Sequence, residues 1–560
     1  MQKEITIQDI DHLLHVIGDS IKWASEHEER AFPLSAFREY RRNLKKIRFA
    51  LEENCSAAAY GESQNGKSYL ISSLLSDQGE ELAIKGGRNG KIYSFIDDIN
   101  PSGGNTSKKE STGIITRFTI CPDMAPAAED KVKVRLLSIA DIVKLLADTY
   151  YKDVKINADT LLLADDINCK LETFLPQIID KNVQQSYIDE DDIFTIQQYL
   201  NASLGGNASH VYSSKFCVLV SQKIQHIAPE QWGKVFSLLW NENDYITSLF
   251  ERLVAEYRKL HFNSVVYVPF DAILRQKGTI LDISWLDNLF NDNAADNNPN
   301  YELLCDIYDS QNNLLVHGFP KTSFTALISE LTLVLPPSAA DKRAFLRDFD
   351  LLDFPGARHR MKLPENSIQT ELPMMLRRGK VSYLFDKYSD SWRINAILFC
   401  KNMDKPESEL GEVLNSWISN NIGATPEQRA KYISSTNFTS PFFIISTFFN
   451  CDLQRTKETP LFIKTVPLEE RWKTRFENHL CDEVIKPSVY SWFEHWVPQS
   501  AGFASEAFQN IYMLRDYFWS SNQQIFAGYQ AGVSGENRVV EHPEFPEFLE
   551  ALRNSFVSFP

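Results

Sequence analysis

The stretch Gly61-Glu62-Ser63-Gln64-Asn65-Gly66-Lys67-Ser68 decides how the chain is read. Two glycines let successive backbone N–H groups curl around an anion, and the following helix adds the positive end of its dipole. Lys67 is placed to reach the β- and γ-phosphates of a nucleotide, and the Ser68 hydroxyl to take Mg²⁺. The short apolar run Ala57-Ala58-Ala59-Tyr60 precedes the loop and Tyr69-Leu70-Ile71-Ser72-Ser73-Leu74-Leu75 follows it. Strand, loop and helix therefore come in the order a phosphate-binding loop requires. All eight residues from Gly61 to Ser68 are expected to contact nucleotide, against the plainer alternative of a surface turn.

Working outward, Leu351-Leu352-Asp353-Phe354-Pro355-Gly356 reads as a strand that ends in Asp with Gly three residues on. Asp353 is expected to hold Mg²⁺ through water and the Gly356 N–H to sense the γ-phosphate; a strand-end turn is the bland reading. Thr116 follows a Gly-, Ser- and Asn-rich loop at Asp97 to Ser111 and is the expected residue to close onto Mg²⁺ and position water. Thr112 competes with it, and simple strand packing is the alternative. Gln64, within the loop, is a further candidate for positioning the water.

The base would be read after the apolar strand Ile394 to Cys400, at Lys401-Asn402-Met403-Asp404. A guanine site usually carries Asn or Thr, Lys, any residue, Asp. Only Asp404 fits, its carboxylate accepting guanine N–H bonds, so adenine stays open as the base. His359 and Arg358 follow the second element and are weighed as water-positioning and phosphate-contacting residues against a plain solvated segment.

A chain of 560 residues corresponds to about three domains at roughly 100–200 residues each. Expected divisions are an N-terminal helical hairpin (1–54), a first α/β part (55–140), an inserted mainly helical domain (141–330), a second α/β part (331–450) and a C-terminal helical region (451–560). Strand candidates at 113–120 and 132–137 are expected to pair, and apolar strands alternating with helices predict a mostly parallel sheet covered on both faces. Helices are expected over 469–479, 489–496 and 507–518. The apolar end Asn554-Ser555-Phe556-Val557-Ser558-Phe559-Pro560 suggests that a further helical region follows in a longer chain.

The 58 Lys and Arg against 74 Asp and Glu leave a net charge of −16, which disfavours a broad nucleic-acid footprint and an anionic lipid surface. The eight cysteines are scattered without metal-ligand spacing, as expected of reduced thiols in a cytoplasmic protein. No run reaches the roughly 18–20 apolar residues of a membrane span.

Taken together, Gly61 to Leu70, Asn100-Pro101-Ser102-Gly103-Gly104, Thr112 to Thr119 and Asp353-Phe354-Pro355-Gly356-Ala357-Arg358 resemble the bacterial virulence factors of the SrfC type, within the dynamin-like GTPase class. The resemblance implies a P-loop, dynamin-like G domain with a large helical insertion and helical flanks. It implies GTP and Mg²⁺ as ligands, with Lys67, Ser68, Thr116, Asp353 and Gly356 in the roles above. It further implies self-association, companion proteins encoded alongside, and action that is cytoplasmic or peripheral to a membrane. One departure is Gln64, where dynamin relatives carry a serine that orients water and a cation. An ATPase of a related class, or an interaction protein with a hydrolytically weak site, are the alternatives.

Overall fold

The computed structural model describes residues 5–27, 31–76, 82–87, 90–101, 112–121, 128–289, 302–357, 360–402, 410–436, 440–447, 454–455, 473–498, 505–513 and 540–541. Gly103, Gly104, Arg358, His359, Met403 and Asp404 lie outside the described residues.

Among the described residues, eleven strands form one sheet: β1 (Cys55–Tyr60), β2 (Ile115–Thr119), β3 (Lys131–Leu136), β4 (Val265–Pro269), β5 (Leu304–Tyr308), β6 (Leu314–Pro320), β7 (Ile328–Val334), β8 (Phe349–Asp353), β9 (Ala396–Asn402), β10 (Phe442–Thr447) and β11 (Ile511–Met513). Their order across the sheet is β11-β10-β9-β1-β8-β2-β7-β3-β4-β5-β6. Pairings from β11 through to β8 are parallel, as is β2 with β7. From β8 to β2 and from β7 through to β6 they are antiparallel. The architecture is thus α/β, but the sheet is mixed rather than mostly parallel. Alternation in β3 carries the reason: Val132, Val134 and Leu136 are buried while Lys133 and Arg135 are only partly covered, the pattern of antiparallel strands.

Strands β2 and β3 do not pair with each other as chain proximity predicts. β7 lies between them, parallel to β2 and antiparallel to β3. A strand buried on both faces, as β7 is from Ile328 to Leu333, gains most by taking a central place.

Eight helices matter for the site: α1 (Ile7–Glu26), α2 (Leu34–Leu51), α3 (Lys67–Leu75), α4 (Ile139–Asp153), α5 (Ala164–Ile178), α6 (Glu190–Tyr199), α7 (Asp244–Lys259) and α8 (Ile368–Asp390). A capping box starts α1, with the Asp9 N–H donating to Thr6 Oγ1 at 3.2 Å and the Thr6 N–H donating back to Asp9 Oδ2 at 3.0 Å. The α1–α2 hairpin docks on α6 through Arg41, which is 2.7 Å from Asp191 Oδ1 and 2.9 Å from Glu190 Oε2. The segment expected as a helical insertion is helical from α4 to α7, then supplies β4, β5 and β6 to the same sheet. Within the helical block, the chain from Trp232 is broken at Asn241 and Glu242, both at positive φ, and restarts as α7 with Asn243 accepting from the Ile246 N–H.

Among the described residues, two helices expected near the C-terminus do not form. Val489–Trp496 is a run of turns between Pro487 and Pro498, its backbone used sideways: the Trp496 N–H donates to Glu506 O at 2.7 Å. Its Trp492, Phe493 and Trp496 pack with Phe442 and Phe508 instead of forming a helix face. Within 507–518, Ile511–Met513 pairs with Ile444–Ser446 as the edge strand β11, where their β-branched and aromatic side chains fit a pleated surface. Part of the expected 469–479 helix is described, as helical turns over Lys473–Ile485.

Candidate functional site

Parallel strands β1, β8 and β9 end at one edge of the sheet, where α/β proteins place their ligands. β2 runs antiparallel to β8, so its first residues reach the same edge, with Thr116 directly opposite Asp353. Ala58 and Ala59 in β1 are fully buried, and α3 packs across β1 and β8. Small residues let that helix come close, which carries its N-terminus to the strand ends.

The turn from β1 into α3 has a backbone that few residues adopt. Gly61, Gly66 and Gln64 have φ of 145°, 75° and 63°. A Cβ on Gly61 would stand 2.3 Å from the Cys400 carbonyl oxygen in β9, so glycine is required there for space as well as for φ. Asn65 is fully buried, its Nδ2 donating to the same carbonyl at 3.4 Å. Gln64, by contrast, sits exposed at the tip.

The second element is stitched to the first. The Ala357 N–H donates to Gly61 O at 3.0 Å, and Glu62 forms a parallel bridge with Ala357. A Cβ on Gly356 would fall 2.4 Å from Ser63 Cα and 2.6 Å from Ser63 N. Sequence reasoning gave Gly356 a role through its N–H; the close approach of two backbones is an additional demand for glycine.

Within this frame Lys67, 6% exposed, donates from Nζ to Glu62 O at 2.6 Å, and Ser68 donates from Oγ to Asp353 Oδ2 at 2.6 Å. Asp353 is 3% exposed and its Oδ1 has no hydrogen-bond partner among the described residues. Burial pushes its carboxyl up to about 6, although the Ser68 hydrogen bond and the Lys67 charge pull the other way. A buried carboxylate oxygen without a partner is an acceptor waiting for a cation or a proton.

Thr116 is 1% exposed and lies in the sheet interior, paired to Leu331 on one side and Asp353 on the other. Thr112 forms an antiparallel bridge with Asp282. Ser68, Thr116 and Asp353 are therefore gathered at one place. Among the described residues no group of three or more His, Cys, Asp or Glu is placed to hold a metal. One carboxylate beside hydroxyls suits Mg²⁺, which keeps several waters and takes phosphate oxygens rather than an all-protein cage.

Sequence reasoning missed the other polar cluster around β2. Arg117 is buried and lies 2.8 Å from Asp350 Oδ2, 2.8 Å from Glu53 Oε2 and 3.1 Å from Glu330 Oε2. Arg393 stands 2.6 Å from Glu53 Oε2, Arg135 2.5 Å from Glu53 Oε1, and the Tyr388 hydroxyl donates to Glu330 at 2.8 Å. A signal for it existed, because charged residues interrupt the apolar strands at Arg117, Glu330 and Asp350.

Among the described residues no helix is long and apolar enough to cross a membrane. A comparison with curated proteins finds none that matches. The pattern of a known protein family does match, over residues 21–558, and the chain belongs to that family, described as "Putative bacterial virulence factor".

Proposed function

We propose that the chain binds GTP with Mg²⁺ and hydrolyses it, and that the cycle drives a conformational or assembly switch, as in a dynamin-like G domain of the SrfC type. The observation that carries this reading is the joining of Ser68, at the mouth of a strand–loop–helix turn, to a buried Asp353 whose second oxygen has no partner among the described residues.

On this reading the N–H groups of Gly61 to Ser68 cradle the phosphates, and Lys67 exchanges the Glu62 carbonyl for phosphate oxygens. Ser68, Asp353 and Thr116 would hold the cation, and the Gly356 N–H would face the terminal phosphate. Mg²⁺, when bound, neutralises charge developing on the transferred phosphoryl group. Asp404 would select the base, and Gln64, exposed at the loop tip, would orient water or face a second copy of the chain. Companion proteins and a membrane surface remain partners to be tried in the same assays.

The test is binding of GTP and of ATP to the full chain with MgCl₂. Lys67→Ala is expected to lose about 2–5 kcal/mol of binding, since a charge-assisted contact to phosphate disappears. Equal binding by that variant sinks the assignment, and a clear preference for ATP moves the chain to a related ATPase class. A hydrolytically weak site is the second reading, favoured by the fixing of Thr116 within the sheet between β7 and β8. Phosphate release that depends on Asp353, measured with and without liposomes, rejects it.

A further inference from the structure

Beyond Ala357 the chain is caught a second time, by the helical block rather than by the loop. Arg360 donates to Asp153 Oδ2 at 2.9 Å and also to Asp148, both fully buried on α4. The Met361 N–H donates to Asp153 Oδ1 at 2.9 Å, and Leu363–Pro364 pairs in parallel with Val154–Lys155, which continue directly from α4. Ala357 is bonded to Gly61. Three peptide units separate the two anchors, a reach of at most about 11 Å. So short a link places the contact to the loop and the contact to α4 close together along the chain.

The two carboxylates are not equivalent. Asp148 has further partners in Lys152 Nζ at 2.7 Å and the Tyr199 hydroxyl at 2.9 Å, so its charge stays compensated without Arg360. Asp153 meets Arg360 and the Met361 N–H, both from the linking segment. α4 itself is buried along almost its whole length and packs against α8, α6 and α7. Its amides are protected by that packing, so gain or loss of an anchor at its C-terminal end alters how readily it opens. On the other side of the site, the lead into β2 is held by the segment that follows β4: the Gly113 N–H donates to Leu281 O at 3.1 Å, and a Cβ on Gly113 would lie 2.5 Å from Ile283.

We propose that Arg360 is a coupling residue that transmits occupancy of the Gly61–Ser68 loop to α4, so that the helical block spanning α4 to α7 reads the state of the site. The inference rests on the nucleotide reading above and names its internal regulation. Differential contact is what makes the coupling: a ligand that draws Gly356 toward itself favours one engagement of Arg360 over another.

The experiment is hydrogen–deuterium exchange on the full chain, with MgCl₂ alone and with MgCl₂ plus a slowly hydrolysed GTP analogue. Peptides covering 139–155 are expected to change their exchange rate by about fivefold or more on nucleotide addition, the lower end of ordinary coupling. Arg360→Met is expected to keep saturable binding and lose that change; Arg360→Lys, which keeps the charge, should recover part of it. Should Arg360→Met fail to fold, Asp153→Asn with the same readout takes its place. An equal response in native and Arg360→Met chains overturns the coupling, as does a response confined to 7–51. Absence of nucleotide binding by the native chain brings down the functional reading itself; binding without a response at 139–155 brings down only the coupling.

Discussion

Strand β2 passes between two buried ionic environments that differ in one respect. Through Arg117 it joins a cluster of three arginines, Arg117, Arg135 and Arg393, with three acids, Glu53, Glu330 and Asp350, in which charges match. Burial works against the charge on all three acids; the arginines hold Glu330 and Glu53 below their ordinary range, while burial still raises Asp350. Thr116, one residue earlier, lies opposite Asp353, where burial wins and the carboxyl rises to about 6. The comparison teaches that burial of charge does not mark a working site. Burial without full compensation leaves free energy that a cation or proton can recover.

Breaking the balanced side should have the largest effect. Arg117→Met leaves three carboxylates facing too little positive charge and is expected to cost about 3–5 kcal/mol of stability in urea unfolding. A loss below about 1 kcal/mol would mean the cluster is no more than packing.

Asp353→Asn is the counterpart on the uncompensated side, and its sign is opposite. The folded-state pKa of Asp353 lies above the unfolded value of about 3.9, so its contribution to stability is full below pH ~4 and is lost as pH rises through about 6. Near pH 8 the neutral Asn variant should equal the native chain or exceed it by up to about 3 kcal/mol, while losing magnesium-dependent nucleotide binding. Destabilisation by this change at pH 8 would remove the distinction between the two environments.

Gly356→Ala sharpens the steric half of the argument. Its Cβ would collide with the Ser63 backbone, so about 1–3 kcal/mol of strain is expected, with weakened binding as the two elements separate. The smallest effect is that of pH on binding: magnesium-dependent affinity should be flat above pH ~7 and fall by at most about tenfold per unit below about 6, where Asp353 is protonated. Titrations at pH 5 and pH 8 that agree would place the cation elsewhere.

Much of the parallel half of the fold was legible in the sequence. The strand ending at Asp353 has its predicted end, and the strand at 396–402 lies within two residues of the predicted 394–400, because apolar runs bounded by turns are local signals. Pairing was less legible. β2 and β3 are separated by β7, whose residues lie far along the chain, and nothing local in 115–136 announces it. The aromatic segment Val489–Trp496 misled for another reason: spaced Trp and Phe side chains satisfy a helical pattern, and only the packing of Trp492 and Trp496 on Phe508 shows that another backbone serves them.

At the site, the sequence by itself determined the loop, since glycines at 61 and 66 and the Lys67-Ser68 pair act on a few consecutive peptide units. It also marked Asp353 and Gly356 as a second element. Only the tertiary structure decided that Gly61 is shaped by the Cys400 carbonyl, that Gly356 lies on Ser63, and that Arg360 reaches Asp148 and Asp153 on α4. Local order can prescribe a turn, because backbone φ is a property of single residues. Whether a buried oxygen finds a partner depends on which distant strands and helices the hydrophobic core brings together.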